Sequence, residues 1–290
     1  MDGLAGHLTD CYGIRVTGLA ELDTCVYRVD GPNWVARVFP ETRSLGDAHG
    51  DAEILRKLED GGFPAERRAH DEPVSEFAGC AVLVTNFVEG VPANKPGRTF
   101  AYLGALLGRL HARDGAELRP GGAWHHLASG TPADEIAAAI ALLDDHRLIA
   151  EVCELDDCAD LPHAFVHPDF VPANAITTAE GNVVIVDWAG SGRGPRLWSL
   201  GFLLWAAGMR SPKLLDIVAT RYRRHVTLEP GELARLAGAI KARPLLIDCW
   251  SAAHGRKSAA EVAGSLRFLD RHAERIAEQA TALFTAPEPP

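Results

Sequence analysis

The residues best able to do chemistry lie between His167 and Trp188. His167-Pro168-Asp169-Phe170-Val171-Pro172-Ala173-Asn174 sets Asp169 and Asn174 five positions apart in a stretch stiffened by two prolines, and the apolar run Val183-Val184-Ile185-Val186 leads into Asp187-Trp188. A loop of that spacing can offer one carboxylate to a hydroxyl and one amide oxygen to a metal. Asp187, at the end of a strand, is pinned rigidly enough to hold, with Asn174, a Mg²⁺ that bridges nucleotide phosphates. A base, two oxygen ligands and little covalent machinery make up the outfit of phosphoryl transfer. On its own, H-x-D-x-x-x-x-N is a permissive pattern, and a proline-rich turn with a capping Asp satisfies it equally well.

The chain ahead of this stretch is rich in β-structure. Residues 14–19 and 25–29 carry β-branched and apolar side chains around Glu21-Leu22-Asp23-Thr24, and 34–39 follow a Gly31-Pro32-Asn33 turn, which predicts three strands in meander order. Gly46-Asp47 opens a helix through Ala52, Ile54, Leu55 and Leu58 that Gly61-Gly62 stops. Two further strands, at 67–70 and 81–87, are separated by an acidic, proline-containing turn and complete a five-stranded sheet with one inserted helix. After Gly90-Val91-Pro92 the composition shifts to helix. Leu103, Leu106, Leu107 and Leu110 repeat at helical spacing within 99–112, and Thr131-Pro132-Ala133-Asp134 gives an N-cap, a first-turn proline and a carboxylate at the third position of a helix running to about residue 146. Residues 195–284 read as mostly helical, with a polar, proline-rich tail behind them.

Composition narrows the partners. Asp and Glu outnumber Lys and Arg by 39 to 29, the formal charge is −10, and no basic block could neutralise a run of phosphates, which argues against nucleic acid. The longest apolar stretch, 200–209, is about half of what a membrane span needs, and Met1-Asp2-Gly3 opens no signal peptide. The six cysteines are scattered without a C-x-x-C pair, as in a reducing compartment, so a soluble cytoplasmic protein is expected. His125 and His126 are adjacent and therefore point to different sides of any regular element, which does not build a metal site.

Taken together, the motifs resemble the aminoglycoside phosphotransferase and choline kinase-like family, whose members share the protein-kinase architecture. His167 to Asn174 looks like the family's catalytic loop, 183–188 like its metal-binding strand, Gly192-Arg193-Gly194-Pro195-Arg196-Leu197-Trp198-Ser199-Leu200 like the segment that follows, and 103–112 like the long helix after the hinge. The resemblance implies an α+β, bilobal protein-kinase-like fold: a small antiparallel-sheet N-lobe over 1–90 that binds nucleotide, and a larger, mostly helical C-lobe over 91–290 with the catalytic loop and acceptor site. It implies Asp169 as the catalytic base and Asn174 and Asp187 as ligands of Mg²⁺. Arg37, in Val35-Ala36-Arg37-Val38, stands where protein kinases carry the strand lysine, with Glu53 of the following helix as its partner. The adenine of ATP, or the guanine of GTP, would lie on the backbone of Asn86 and Val88, with Thr24 contributing near the phosphates.

The sequence departs from the family pattern at four places. Arg37 replaces Lys, and a planar fork is not a point charge; 18–25 hold no glycine-rich loop; Pro168 replaces a usual Gly; and Ser199 replaces an Asp that braces the catalytic loop, so a weaker brace is expected. The implied activity is Mg²⁺-dependent transfer of the γ-phosphoryl group of ATP or GTP to a hydroxyl of a small molecule: an aminoglycoside-like antibiotic, which would make resistance its consequence, an amino alcohol or a related metabolite. The chain would act as a monomer or homodimer. Asp134, Glu135, Asp144, Asp145, Glu154, Asp156 and Asp157 would draw a cationic acceptor, and Trp124, Trp205 and Trp250 could stack on one. The competing reading is a pseudokinase that binds nucleotide or ligand without transferring phosphate, favoured by Arg37, Pro168 and Ser199 and opposed by the intact Asp169, Asn174 and Asp187.

Overall fold

The computed structural model of the chain describes residues 3–113 and 115–287. Its elements run α1 (Leu4–Tyr12), β1 (Gly18–Asp23), β2 (Val26–Asp30), β3 (Trp34–Val38), α2 (Leu45–Asp60), β4 (Val74–Phe77), β5 (Cys80–Asn86) and β6 (Val91–Pro92). There follow α3 (Pro96–His111), α4 (Pro132–Leu142), α5 (His146–Cys153), β7 (His163–Val166), β8 (Ala175–Thr177), β9 (Val183–Ile185) and β10 (Gly192–Pro195). The chain closes with α6 (Arg196–Gly208), α7 (Pro212–Tyr222), α8 (Pro230–Ala253) and α9 (Ala259–Thr285). Two compact units result: residues 3–92 with Ala175–Ala189, and residues 93–174 with 190–287. The segment that ends in Asp187 therefore belongs to the first unit and not, as a boundary after residue 90 implies, to the second. Its backbone pairing explains why: β8 pairs with β6, and Ile185 bridges Ala65.

The first unit is built on an antiparallel sheet of order β1-β2-β3-β5-β4. Leu4 and Leu8 of α1 pack with Tyr27, Val29, Trp34, Ala36, Val82 and Val84 on one face of it. Two apolar residues four apart were too little signal to announce α1. The first strand runs on through Glu21, and the turn falls at Thr24 and Cys25, the latter with φ 58°. The expected strand at 67–70 is instead an irregular stretch that bridges β5 only at Arg68 and Thr85, and the fifth strand is β4, in the region read as a turn. The edge of β5 is shared between the two, 67–69 meeting its end and β4 its start. Ser44 and Asp47 cap α2 reciprocally, and Ala48, Asp51, Ala52, Ile54, Leu55 and Leu58 form its buried face.

In the second unit Leu103, Leu106, Leu107 and Leu110 are fully buried, as their spacing requires. Thr131 caps α4 through Asp134, with Pro132 in its first turn, but that helix ends at Leu142 and Asp145 caps a separate α5. A two-stranded ribbon, β10 against β7, runs from Gly192 opposite Val166 to Pro195 opposite His163 and delivers the chain to His167. The ribbon is fixed by close backbone approach. A Cβ on Gly121 would stand 2.3 Å from the Gly192 nitrogen, and one on Gly192 would stand 2.5 Å from the Arg119 carbonyl oxygen, so only glycine fits at either place. Among the described residues no helix is long and apolar enough to cross a membrane.

Candidate active site

In the second unit the ribbon ends in a loop whose bonds are mostly internal. His167 Nδ1 faces the Asp169 N–H at 3.0 Å, and the Asn174 side-chain amide donates to the Asp169 carbonyl at 2.9 Å, closing the loop back on itself through the 3₁₀ turn Pro172–Asn174. With its nitrogen so engaged, Asn174 keeps its side-chain oxygen for another partner. Ser199 is the brace. Its hydroxyl donates to the His167 carbonyl at 2.7 Å and accepts from the His167 N–H at 3.1 Å, so the serine holds both backbone groups of one residue. A hydroxyl is donor and acceptor at once, which lets one serine make both contacts.

Asp169 is engaged by a residue that its own motif does not contain. Arg243, from α8, donates through Nε (2.8 Å) and Nη2 (2.6 Å) to a single oxygen, Asp169 Oδ1, and pairs through Nη1 with Glu135 of α4. The Arg243 side chain is 2% exposed and that of Glu135 not at all. Trp124 lies 4.9 Å under the guanidinium, and its backbone N–H donates to Glu135 Oε2. Burial pushes the Glu135 carboxyl up to about 7, with the Arg243 charge opposing. Neither residue carried a motif: Glu135 looked like one member of an acidic rim and Arg243 like one of many arginines. The signal available was Glu135 sitting on the apolar side of a capped helix, where a carboxylate needs a partner.

That rim is otherwise occupied with local structure. Asp134 caps α4, Asp145 caps α5, Asp156 pairs with Arg235, and Asp157 accepts from the Ala159 N–H. Around Trp124 stands a cluster of rings instead: Trp250 at 5.1 Å, His126 at 5.0 Å, and His254 stacked at 4.6 Å on Trp250.

In the first unit Arg37 and Asp187 are brought together. Arg37 Nη2 lies 2.9 Å from Asp187 Oδ1, but off the line that a hydrogen bond needs, and that buried oxygen has no hydrogen-bond donor among the described residues. Asp187 sits at φ 66°, a left-handed conformation rare outside glycine. Glu66, which no motif indicated, faces this turn: Oε1 accepts from the Asp187 N–H at 2.7 Å and lies 3.4 Å from that of Trp188, while Oε2 accepts from the Thr85 hydroxyl at 3.1 Å. Burial pushes its carboxyl up, and the Arg37 charge acts against that shift. Val35, Arg37, Asp51, Leu55, Glu66, Thr85 and Trp188 line one small cavity of about 20 Å³.

Glu53 is not the partner of Arg37. It faces solvent, bound to Arg56 at 2.6 and 2.8 Å, because the buried face of α2 is set by its apolar residues and Glu53 falls opposite them. The inward acid of that helix is Asp51, already paired with the buried Arg43 at 2.6 Å. Thr24 lies at the exposed tip of the β1–β2 hairpin, and its N–H bonds within the turn to Asp23. At the end of β5 the Asn86 N–H is spent on the Arg67 carbonyl, whereas the Asn86 carbonyl and the Val88 N–H have no partner among the described residues. Arg28 covers the Phe87 ring at 4.3 Å between them.

Each unit carries a donor of the type that a hard divalent cation takes. In the first, Asp187 has a carboxylate with one buried oxygen that accepts no hydrogen bond among the described residues, and in the second, Asn174 has an amide oxygen oriented by the bond its nitrogen makes.

Among curated proteins no sequence match is found. Solved structures share the fold: the choline kinase LicA from Streptococcus pneumoniae (TM-score 0.62, 16% identity, 96% of this chain and 97% of that one), and the aminoglycoside phosphotransferase APH(3'')-Id from Streptomyces rimosus, solved with ADP and streptomycin (TM-score 0.63, 18% identity, 85% and 99%). An amicoumacin kinase solved with AMP-PNP and Ca²⁺ is similar to the same degree (TM-score 0.63, 17% identity, 91% and 88%). These likenesses establish a protein-kinase-like fold. The profile of the phosphotransferase enzyme family (APH) matches residues 16–239, and with more than half of its length so matched the chain belongs to that family.

Proposed function

We propose that this chain transfers the γ-phosphoryl group of ATP or GTP to a hydroxyl of a small molecule, with Mg²⁺ as the metal. The observation that carries the reading is the state of Asp169: Oδ1 takes two donors from Arg243, and Oδ2 has no hydrogen-bond partner among the described residues. One oxygen is anchored and the other is offered. The acceptor oxygen bonds to the γ-phosphorus, the bond from that phosphorus to the bridging oxygen breaks with its electron pair leaving on the nucleoside diphosphate, and the hydroxyl proton passes to Asp169 Oδ2. Asn174 and Asp187 would hold Mg²⁺, which when bound offsets charge on the transferring phosphates. Arg37 supplies a guanidinium fork for phosphate oxygens, and the open carbonyl of Asn86 and N–H of Val88 suit the edge of a purine.

For the acceptor, the ring cluster of Trp124, His126, Trp250 and His254 is a better guide than the acidic rim, most of which is committed to caps and ion pairs. A hydroxylated molecule with a ring to stack, sugar or aromatic, fits it better than a bare amino alcohol. The test is a thermal-shift titration with ATP and GTP, each with and without Mg²⁺, followed by mass spectrometry of hydroxylated compounds incubated with the protein and the nucleotide that binds. A Mg²⁺-dependent shift and a phosphorylated product that Asp169→Asn fails to make are expected. Nucleotide binding with no transfer to any acceptor or to water favours the pseudokinase reading, and no binding of either nucleotide overturns the proposal.

A further inference from the structure

We infer that Glu66, from the irregular stretch before β4, is the positioning carboxylate of the nucleotide side: it sets the Asp187 turn and directs Arg37, the duty expected of a glutamate on α2. The inference rests on the phosphotransfer reading and assigns it a residue outside every motif.

Three observations converge. The first is placement. The Glu66 N–H donates to the Ile185 carbonyl and the Ile185 N–H to the Pro64 carbonyl, so residues 64–66 run beside the end of β9 and bring the Glu66 side chain under the turn that β9 leads into. The second is the turn itself. A non-glycine residue at positive φ persists only where its surroundings over-determine it, and the Glu66 carboxylate does so by facing two successive N–H groups, of Asp187 and Trp188. The third is on α2: Glu53, the glutamate expected to face Arg37, points to solvent with Arg56, and Asp51 on the buried face pairs with Arg43.

The same geometry gives a reason for arginine at position 37. An ammonium is a single point, whereas a guanidinium presents donors in a plane and can address Asp187 and Glu66 together. Both side chains line the cavity that also holds Thr85 and Trp188. Arg37 and Glu66 form a matched pair, replacing the lysine and helix glutamate that the family pattern leads one to expect.

The experiment measures nucleotide affinity by titration calorimetry, with and without Mg²⁺, using whichever of ATP and GTP binds the wild type. Glu66→Gln keeps the size and one acceptor oxygen but removes the charge, and it is expected to weaken Mg²⁺-nucleotide binding by about tenfold, the order of a hydrogen bond to a charged group. Binding of the metal-free nucleotide should fall less, a split that general loosening of the fold would not produce. Glu53→Gln should bind as the wild type does. Arg37→Lys should weaken binding in the wild type and add little on top of Glu66→Gln, the signature of residues acting as a unit. Thr85→Val frees Glu66 Oε2 without touching its charge and should give a smaller loss of about threefold, a test that stands even if Glu66→Gln does not fold. Unchanged Mg²⁺-nucleotide affinity in folded Glu66→Gln or Thr85→Val, additive losses in the double variant, or a loss on Glu53→Gln would overturn the inference and leave phosphotransfer standing. A wild type that binds neither nucleotide would overturn both.

Discussion

Asp187 in the first unit and Asp169 in the second each face an arginine with a glutamate close by, yet the two arginines are held in different ways. Arg243 is 2% exposed, donates twice to one oxygen of Asp169, pairs with a fully buried Glu135 and rests on Trp124. Arg37 is 17% exposed, and its contact with Asp187 Oδ1 is an ion pair at 2.9 Å without the alignment of a hydrogen bond. The glutamates differ in the same sense: Glu135 is bonded to its arginine, whereas Glu66 spends its oxygens on backbone N–H groups and a threonine hydroxyl. A guanidinium buried on every side orients a carboxylate, and one that keeps solvent access can be reached by a phosphate. The same trio of residue types serves a rigid duty in one unit and a ligand-facing duty in the other.

The largest effect should come from the oxygen that Arg243 leaves open. Asp169→Asn is expected to cut turnover by about a thousandfold or more while nucleotide affinity stays put; turnover near the wild-type value would show that the anchored carboxylate is not the base. The contrast between the arginines comes next. Arg243→Gln leaves Glu135 buried without its cation and should cost about 3–5 kcal/mol in urea unfolding, while Arg37→Gln, at a partly exposed pair, should cost about 1 kcal/mol or less. Equal costs would erase the distinction between the buried and the solvent-reached arginine.

Glu135 sharpens the comparison through pH. Because its carboxyl is raised from 4.5 to about 7, the folded protein holds that proton more tightly than the unfolded chain does, so the contribution is full below pH 4.5 and is lost as pH rises through 7. The wild type should lose roughly 3 kcal/mol across that window from this group, and Glu135→Gln should lack that part of the slope; an unchanged slope would mean that Glu135 titrates elsewhere. The smallest effect is expected at Ser199. Removing its hydroxyl in Ser199→Ala breaks both bonds to the His167 backbone and should cost about 1 kcal/mol, with turnover reduced more than nucleotide affinity. Full activity in that variant would show that the loop holds its shape without the brace.

The sequence was most readable where chemistry and local geometry coincide. The proline-held loop from His167 to Asn174, the strand ending in Asp187, the capped start of α4 and the leucine spacing of α3 each announce themselves within a dozen residues. What escaped depends on contacts far apart in the chain. Glu66 meets Asp187 across 121 positions and Arg243 meets Glu135 across 108, and neither lies in a periodic or motif-bearing stretch. Apolar spacing locates α2 but leaves its rotation open by enough to exchange Glu53 for Asp51, two positions earlier, which is the acidic residue on its buried face. β4 reads as a turn in the sequence because its edge position tolerates the polar residues Ser75 and Glu76.

The glycines that lock the β7–β10 ribbon have a consequence for how such a protein changes over generations. Every amino-acid replacement of glycine brings a Cβ, and at Gly121 and Gly192 that atom would overlap backbone, so the frame carrying His167 and Asp169 is closed to drift. The ring cluster around Trp124 and Trp250 is under no such steric veto. A lineage can therefore explore new acceptors by altering those side chains while inheriting its chemistry unedited, and a library aimed at changing specificity should vary the rings and leave the two glycines alone.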